Sequence, residues 1–121
     1  VFGQDTLPAF WSATSTLPAP LRMDSAADIA ASHQMRAAMG LPGGQLIANP
    51  IPQDAQIPAE TLAPIIAQAL DEAATKGIAA KAVTPFLLGR IFELTDGASL
   101  TANIALVRNN AALAAKIAAS F

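Results

Sequence analysis

The segment Asn49-Pro50-Ile51-Pro52 sets the tightest limit on what this chain can build. Each proline lacks an N–H and pushes the residue before it out of the helical region, so no helix runs through this stretch. Just before it, Gln45–Ala48 is a short, mostly apolar run of strand length. The turn Leu41-Pro42-Gly43-Gly44 precedes that run, and an alanine-rich stretch punctuated by Ile29, Met35 and Met39 precedes the turn. The alanine-rich stretch opens on Ser25-Ala26-Ala27-Asp28, a capping box whose acid is one methylene short, and closes at Gly40, a residue suited to a left-handed stop. Helix, glycine-rich turn, strand is the rhythm of an α/β unit.

The remaining segments read in the same way. Pro8, Pro18 and Pro20, with Ser12, Thr14, Ser15 and Thr16 among them, predict a strand end followed by an irregular loop. Phe10 and Trp11 lie in that loop, where two aromatic rings need something to pack against. Leu21–Met23 is a candidate short strand. A helix is predicted from about Glu60 to Lys76, closed by Gly77, with Pro64 acceptable only within its first turn. Thr84-Pro85 is read as an N-cap followed by proline at the first helical position, leading a helix through Phe86, Leu87, Leu88, Ile91, Phe92 and Leu94 to Gly97. Ser99 is read as the cap of a last helix towards Ala118. Four helices with two or three short strands leave the sheet too small to stand alone, so the rest of it is expected elsewhere.

Composition sharpens that expectation. With 53% apolar and 13% charged residues, the chain is too hydrophobic for disorder. It is either a helix-rich domain with a generous core or a segment exposing surface that something else covers. A net charge of -2 with scattered basic residues gives no attraction for a nucleic-acid polymer or an anionic membrane, although a single phosphate needs only one or two cations. The absence of cysteine excludes disulfides, a thiol nucleophile and a cysteine zinc cluster, and suits a cytoplasmic setting. No apolar run approaches the ~18 residues of a transmembrane helix, and no signal peptide is evident. Val1 stands where a natural start would have Met, so a processed, cleaved or excerpted chain is expected.

Four blocks in register carry a family resemblance. They are Asp5-Thr6-Leu7-Pro8-Ala9-Phe10; Gly40-Leu41-Pro42-Gly43-Gly44 with Ala48-Asn49-Pro50-Ile51-Pro52; Lys81-Ala82-Val83-Thr84-Pro85-Phe86-Leu87-Leu88; and Asn103-Ile104-Ala105-Leu106-Val107 with Asn109-Asn110-Ala111. Together they resemble the second half of pseudouridine-5'-phosphate glycosidases, a family that includes the indigoidine-cluster proteins. The resemblance implies an α/β/α layered sheet with flanking helices, of which residues 1–121 form an incomplete C-terminal segment of a single domain. It implies reversible cleavage of pseudouridine 5'-phosphate to uracil and ribose 5-phosphate by a homotrimer. A C-glycosidic bond has no leaving oxygen to protonate, which paired-carboxylate hydrolysis requires. The family instead opens the ribose and holds C1' on a lysine as an imine, an electron sink for C–C cleavage. A glutamate acid and a divalent metal, typically manganese, complete that site. The resemblance places all of these in the missing N-terminal part: Lys76, Lys81 and Lys116 do not match the nucleophile, so no catalytic or metal-binding residue is expected here and the chain alone is expected to be inert. Departures from the family pattern are Val1-Phe2-Gly3-Gln4-Asp5, where Gly-aromatic-x-Thr-Asp is usual, and Ala80 before Lys81, where glycine is usual.

Substrate contacts are expected from Asn103, Lys81 and Thr84. The Asn103 amide both donates and accepts, so it can read the imide edge of uracil or a sugar hydroxyl, and by register it falls where the family has an active-site asparagine. The alternative is a buried amide pinning the helix to a loop. Asn110, seven residues on, shares its helix face. Lys81, beside the helix start at Thr84-Pro85, offers a phosphate a cation and free N–H groups, against the plain alternative of a helix cap next to a solvated lysine. Phe10 and Trp11 could stack on a base or simply pack in the core. His33 has no obvious orienting partner, Asn49 reads as a turn residue, and Asp71 and Glu72 are adjacent on a helix and diverge. Two other readings remain at this point. One is a related C-ribosyl-transferring enzyme of secondary metabolism; the other is a non-catalytic helical interaction module, favoured by the alanine-rich helices.

Overall fold

A computed structural model describes residues 1–121 and contains four α-helices: α1 (Ala26–Ala38), α2 (Ala59–Thr75), α3 (Val83–Leu94) and α4 (Ala98–Ala118). α1 begins as its sequence dictates. The Ser25 hydroxyl accepts the Asp28 N–H at 3.0 Å and donates to the Asp28 carboxylate at 2.7 Å. At its other end Gly40 adopts φ +68°, and the N–H groups of Gly40 and Leu41 close back on the carbonyls of Ala37 and Arg36.

Three local expectations need correction. Pro64 is the sixth residue of α2, beyond the first turn. Its missing N–H leaves the Glu60 carbonyl without its usual partner, and both residues are exposed, so water can serve instead. Thr84 is not an N-cap. A 3₁₀ turn at Ala80–Ala82 runs into α3, Ala82 takes the capping position, and Thr84 and Pro85 fall inside the helix. Ser99 is likewise inside α4 and buried; the helix starts from Gly97 at φ +80°, and the Thr95 hydroxyl accepts the Ser99 N–H at 3.1 Å. The signals Thr-Pro and Ser were genuine helix-start chemistry, but preceding turns began both helices earlier.

The predicted strands are present as extended backbone too short for a ladder. Val1–Gly3 lies between the other two segments. Phe2 donates to the Ala48 carbonyl, Gly3 donates to Met23, and Met23 donates to Val1, each at 3.0 Å. Phe2 and Met23 form a parallel bridge. Parallel pairing flanked by helices is the α/β arrangement, here represented by the margins of a sheet.

The core lies where the N-terminal loop, the proline loop and three helices meet. Trp11, Ala13, Ile51, Leu62, Ala69, Ile91, Ala102 and Leu106 form one buried cluster. Only 14 of the 121 residues are buried, far fewer than the apolar composition could supply. The surplus is visible on α4. Its inner face buries Ser99, Ala102, Leu106 and Leu113, while Leu100, Ile104 and Val107 make a second apolar stripe on the exposed side. A helix apolar on two faces is normally an interior helix.

α2 and α3 are joined by a polar clasp. Arg90 donates to both Glu72 carboxylate oxygens, Nε at 2.7 Å and Nη2 at 3.0 Å, and to Glu93 at 2.7 Å. Hydrogen bonds from Arg90 and then Gln68 hold the Glu72 carboxyl below its ordinary value of 4.5. A depressed carboxyl stabilises the fold above its unfolded value, and that contribution is lost as pH falls through the folded one. The urea midpoint is therefore expected to drop as pH falls below about 4.5, with Glu72→Gln lowering the midpoint at pH 7 and flattening the acid limb. An acid limb unchanged by Glu72→Gln would remove the clasp from the stability of this fold.

Candidate functional site

Phe10 and Trp11 occupy the tip of a tight turn. Ala9 and Ser12 exchange backbone hydrogen bonds across it at 2.9 and 3.3 Å, and Phe10 adopts φ +61°. A left-handed bulky residue costs of order 1–3 kcal/mol, so the surrounding structure must hold the turn in place. It does so through several polar ties. The Ser12 hydroxyl donates to the Ile57 carbonyl at 2.7 Å, and the Ala13 N–H donates to the Gln56 amide oxygen at 3.0 Å. Gln4, which stands where the family pattern has threonine, donates from its amide to the carbonyls of Thr6 and Ala13 at 2.9 and 2.8 Å. The first loop is thus fixed with glutamine in that position.

The turn sends its two rings in different directions. Trp11 is buried, its indole Nε1–H donating to the Ser99 carbonyl at 3.0 Å, while Phe10 is 46% exposed and meets Trp11 edge to face at 4.6 Å. Two clefts flank this pair. One, of about 420 Å³, is walled by Phe10, Trp11, Ile66, Leu87, Leu88 and Ile91, with Thr84 its one polar side chain. The other, of about 250 Å³, is lined by Trp11, Leu88, Phe92, Ser99, Leu100 and Asn103. Trp11 and Leu88 belong to both, so Thr84 and Asn103 border adjacent spaces separated by that pair. Lys81 is exposed and lines neither.

The asparagines of α4 divide by role. The Asn110 side chain accepts from the Asn49 amide at 3.0 Å, and the Asn109 amide donates to the Pro50 carbonyl at 3.0 Å. These two tie α4 to the proline loop, whose carbonyls have no strand to receive them. Asn110 therefore has the pinning role, and Asn49 is its partner as well as a turn residue. Asn103 makes no side-chain hydrogen bond within the chain. Its half-buried amide keeps its donors and acceptor available at the cleft. Asn109 was not singled out from the sequence, although two adjacent asparagines opposite a proline loop are a usable signal.

The start of α3 is a poorer anion cradle than a fresh helix terminus. The Val83 N–H already bonds to the Ala80 carbonyl, and Pro85 has no N–H to give. A cleft of about 470 Å³ on the other side of α3 holds Glu72, Lys76, Arg90 and Glu93, where two acids balance two bases. His33 packs edge to face on Phe121 at 5.6 Å. No cluster of three or more His, Asp or Glu side chains converges in this chain.

Comparison with known proteins supplies the context. Residues 1–120 match the family model described as indigoidine synthase A like protein. The chain is 69% identical over 116 residues to the pseudouridine-5'-phosphate glycosidase of Jannaschia sp. (strain CCS1), covering 96% of the chain and 38% of that protein. It is 66% identical over 119 residues to the pseudouridine-5'-phosphate glycosidase of Paracoccus denitrificans, covering 98% of the chain and 39% of the relative. The chain thus spans under two-fifths of the length of these curated relatives. Among solved structures, a prealnumycin C-glycosynthase in complex with ribulose 5-phosphate superposes with a TM-score of 0.87 at 25% identity, covering 98% of this chain and 39% of that one. An indigoidine synthase A-like protein from Thermotoga maritima superposes at 0.83 with 30% identity, over 97% of this chain and 38% of that one.

Proposed function

Since the chain belongs to the indigoidine synthase A-like family, we propose that it forms one wall of the active site in a pseudouridine-5'-phosphate glycosidase. In this reading the complete polypeptide reversibly cleaves pseudouridine 5'-phosphate to uracil and ribose 5-phosphate. The carrying observation is the identity of 66–69% to relatives that bear that name. Membership of the family over residues 1–120 favours the enzyme reading over the simple helical module.

The remaining parts of the reading concern the rest of the polypeptide. The imine-forming lysine and the acid come from outside residues 1–121, as does a divalent metal site of manganese type. The assembly is a homotrimer in the cytoplasm. No helix here is long and apolar enough to cross a membrane. A metal bound in the other part would supply charge neutralisation towards the phosphate. Residues 1–121 supply position and exclusion of water.

Asn103 supports the reading best within the chain. Its amide is free of other duties and borders a cleft with an indole wall, so it can donate to and accept from a uracil edge or sugar hydroxyl. Thr84 and Lys81 stand as candidate phosphate contacts, with Thr84 on the neighbouring cleft. Asn103→Ala in the complete polypeptide is expected to raise KM for pseudouridine 5'-phosphate roughly tenfold to a hundredfold, the equivalent of ~1–3 kcal/mol. The decisive assay is uracil release by the complete polypeptide. Absence of uracil, with C-ribosylation of another aromatic acceptor, would move the assignment to the related C-ribosyl-transferring class, a reading favoured by the prealnumycin C-glycosynthase likeness.

A further inference from the structure

We propose that Trp11 is a positioning residue for Asn103, a role that rests on the reading of Asn103 as a substrate contact. The α-helical pattern gives the carbonyl of Ser99 to the N–H four residues later, which is that of Asn103. The same carbonyl receives the Trp11 indole N–H at 3.0 Å in a buried bond. One oxygen therefore joins the strained aromatic turn to the helical turn on which Asn103 stands.

Three further observations agree with this role. Trp11 also walls the cleft that Asn103 borders, so the indole sets both the floor beneath the amide and the space in front of it. The Asn103 side chain has no hydrogen-bonding partner of its own, which leaves its aim to the backbone below and the ring beside it. Two turns later, Asn109 and Asn110 pin α4 to Pro50 and Asn49. α4 is held on both sides of Asn103, and on the cleft side the holding group is Trp11.

A double-mutant cycle in the complete polypeptide tests this, with pseudouridine 5'-phosphate as substrate. Trp11→Phe removes the donor and part of the ring. Replacement of Trp11 by 3-benzothienylalanine removes only the donor and guards against a folding failure of the phenylalanine variant. Each is expected to raise KM about tenfold, with kcat within about twofold of the parent. In an Asn103→Ala background the benzothienylalanine replacement should change KM by less than about twofold, because the residue being positioned is gone. Multiplying effects in the double variant, or a benzothienylalanine protein with parental KM, would overturn the positioning role and leave the Asn103 reading intact. Parental KM in Asn103→Ala alone would overturn both.

Discussion

Treated with ribose 5-phosphate and borohydride, the complete polypeptide is expected to carry its trapped adduct on a lysine outside residues 1–121, and the 121-residue chain alone to form no adduct and release no uracil. A lysine that forms an imine needs its ammonium made unfavourable, by loss of water or by a neighbouring cation. None of the three lysines of this chain is withdrawn from water. Lys81 and Lys116 are exposed. The Lys76 side chain is 57% exposed, and its ammonium lies 4.0 Å from a Glu72 oxygen and 5.0 Å over the ring of Phe86. Peptide mapping of the reduced adduct gives a direct answer. Label on Lys76, Lys81 or Lys116 would place the nucleophile in this chain and overturn the division of labour proposed for the two parts.

Trp11→Ala should be the most damaging single substitution to stability. Truncating a buried tryptophan costs about 3–5 kcal/mol through lost transfer free energy and the cavity left behind. Trp11 is 8% exposed and sits in the cluster that links the N-terminal loop to α2, α3 and α4. Its indole bond to Ser99 is the one side-chain hydrogen bond that spans 88 residues of sequence. Urea unfolding of the complete polypeptide should show the midpoint falling with little change in slope. The matched change Phe10→Ala should cost much less, since that ring is 46% exposed and its removal also leaves a residue with less bulk in the left-handed turn. Equal losses at the two positions would mean that the turn, not the buried indole, carries the stability.

Much of this molecule was legible from local chemistry. Ser25 with Asp28 announced the start of α1, Gly40 and Gly77 its stop and that of α2, and the two prolines of the 49–52 loop excluded a helix there. These signals act within a few residues, and local physics decided them. The caps at Thr84 and Ser99 failed because helix starts are competitive. A 3₁₀ turn at Ala80–Ala82 and the Thr95 hydroxyl satisfied the first N–H groups sooner than the nominated side chains could. The strands, the strand end at the N-terminus among them, were recognised as short extended runs, but their pairing through Val1–Gly3 was not, because three residues carry no periodic signal. The candidate site was legible as residue types only. Asn103 and Trp11 were both named, whereas the contact that connects them runs from Trp11 to a backbone carbonyl of Asn103's own helix 88 residues away, which no local spacing reveals.

The double-sided apolarity of α4 matters to anyone choosing where to attach a dye or an affinity handle. Leu100, Ile104 and Val107 are 49–58% exposed in this chain, and accessibility alone would nominate them. Their composition argues the opposite: a bulky label there competes for whatever apolar surface such a stripe is made to meet. Lys116 and Ser120, polar and near the far end of the helix, are the sounder attachment points.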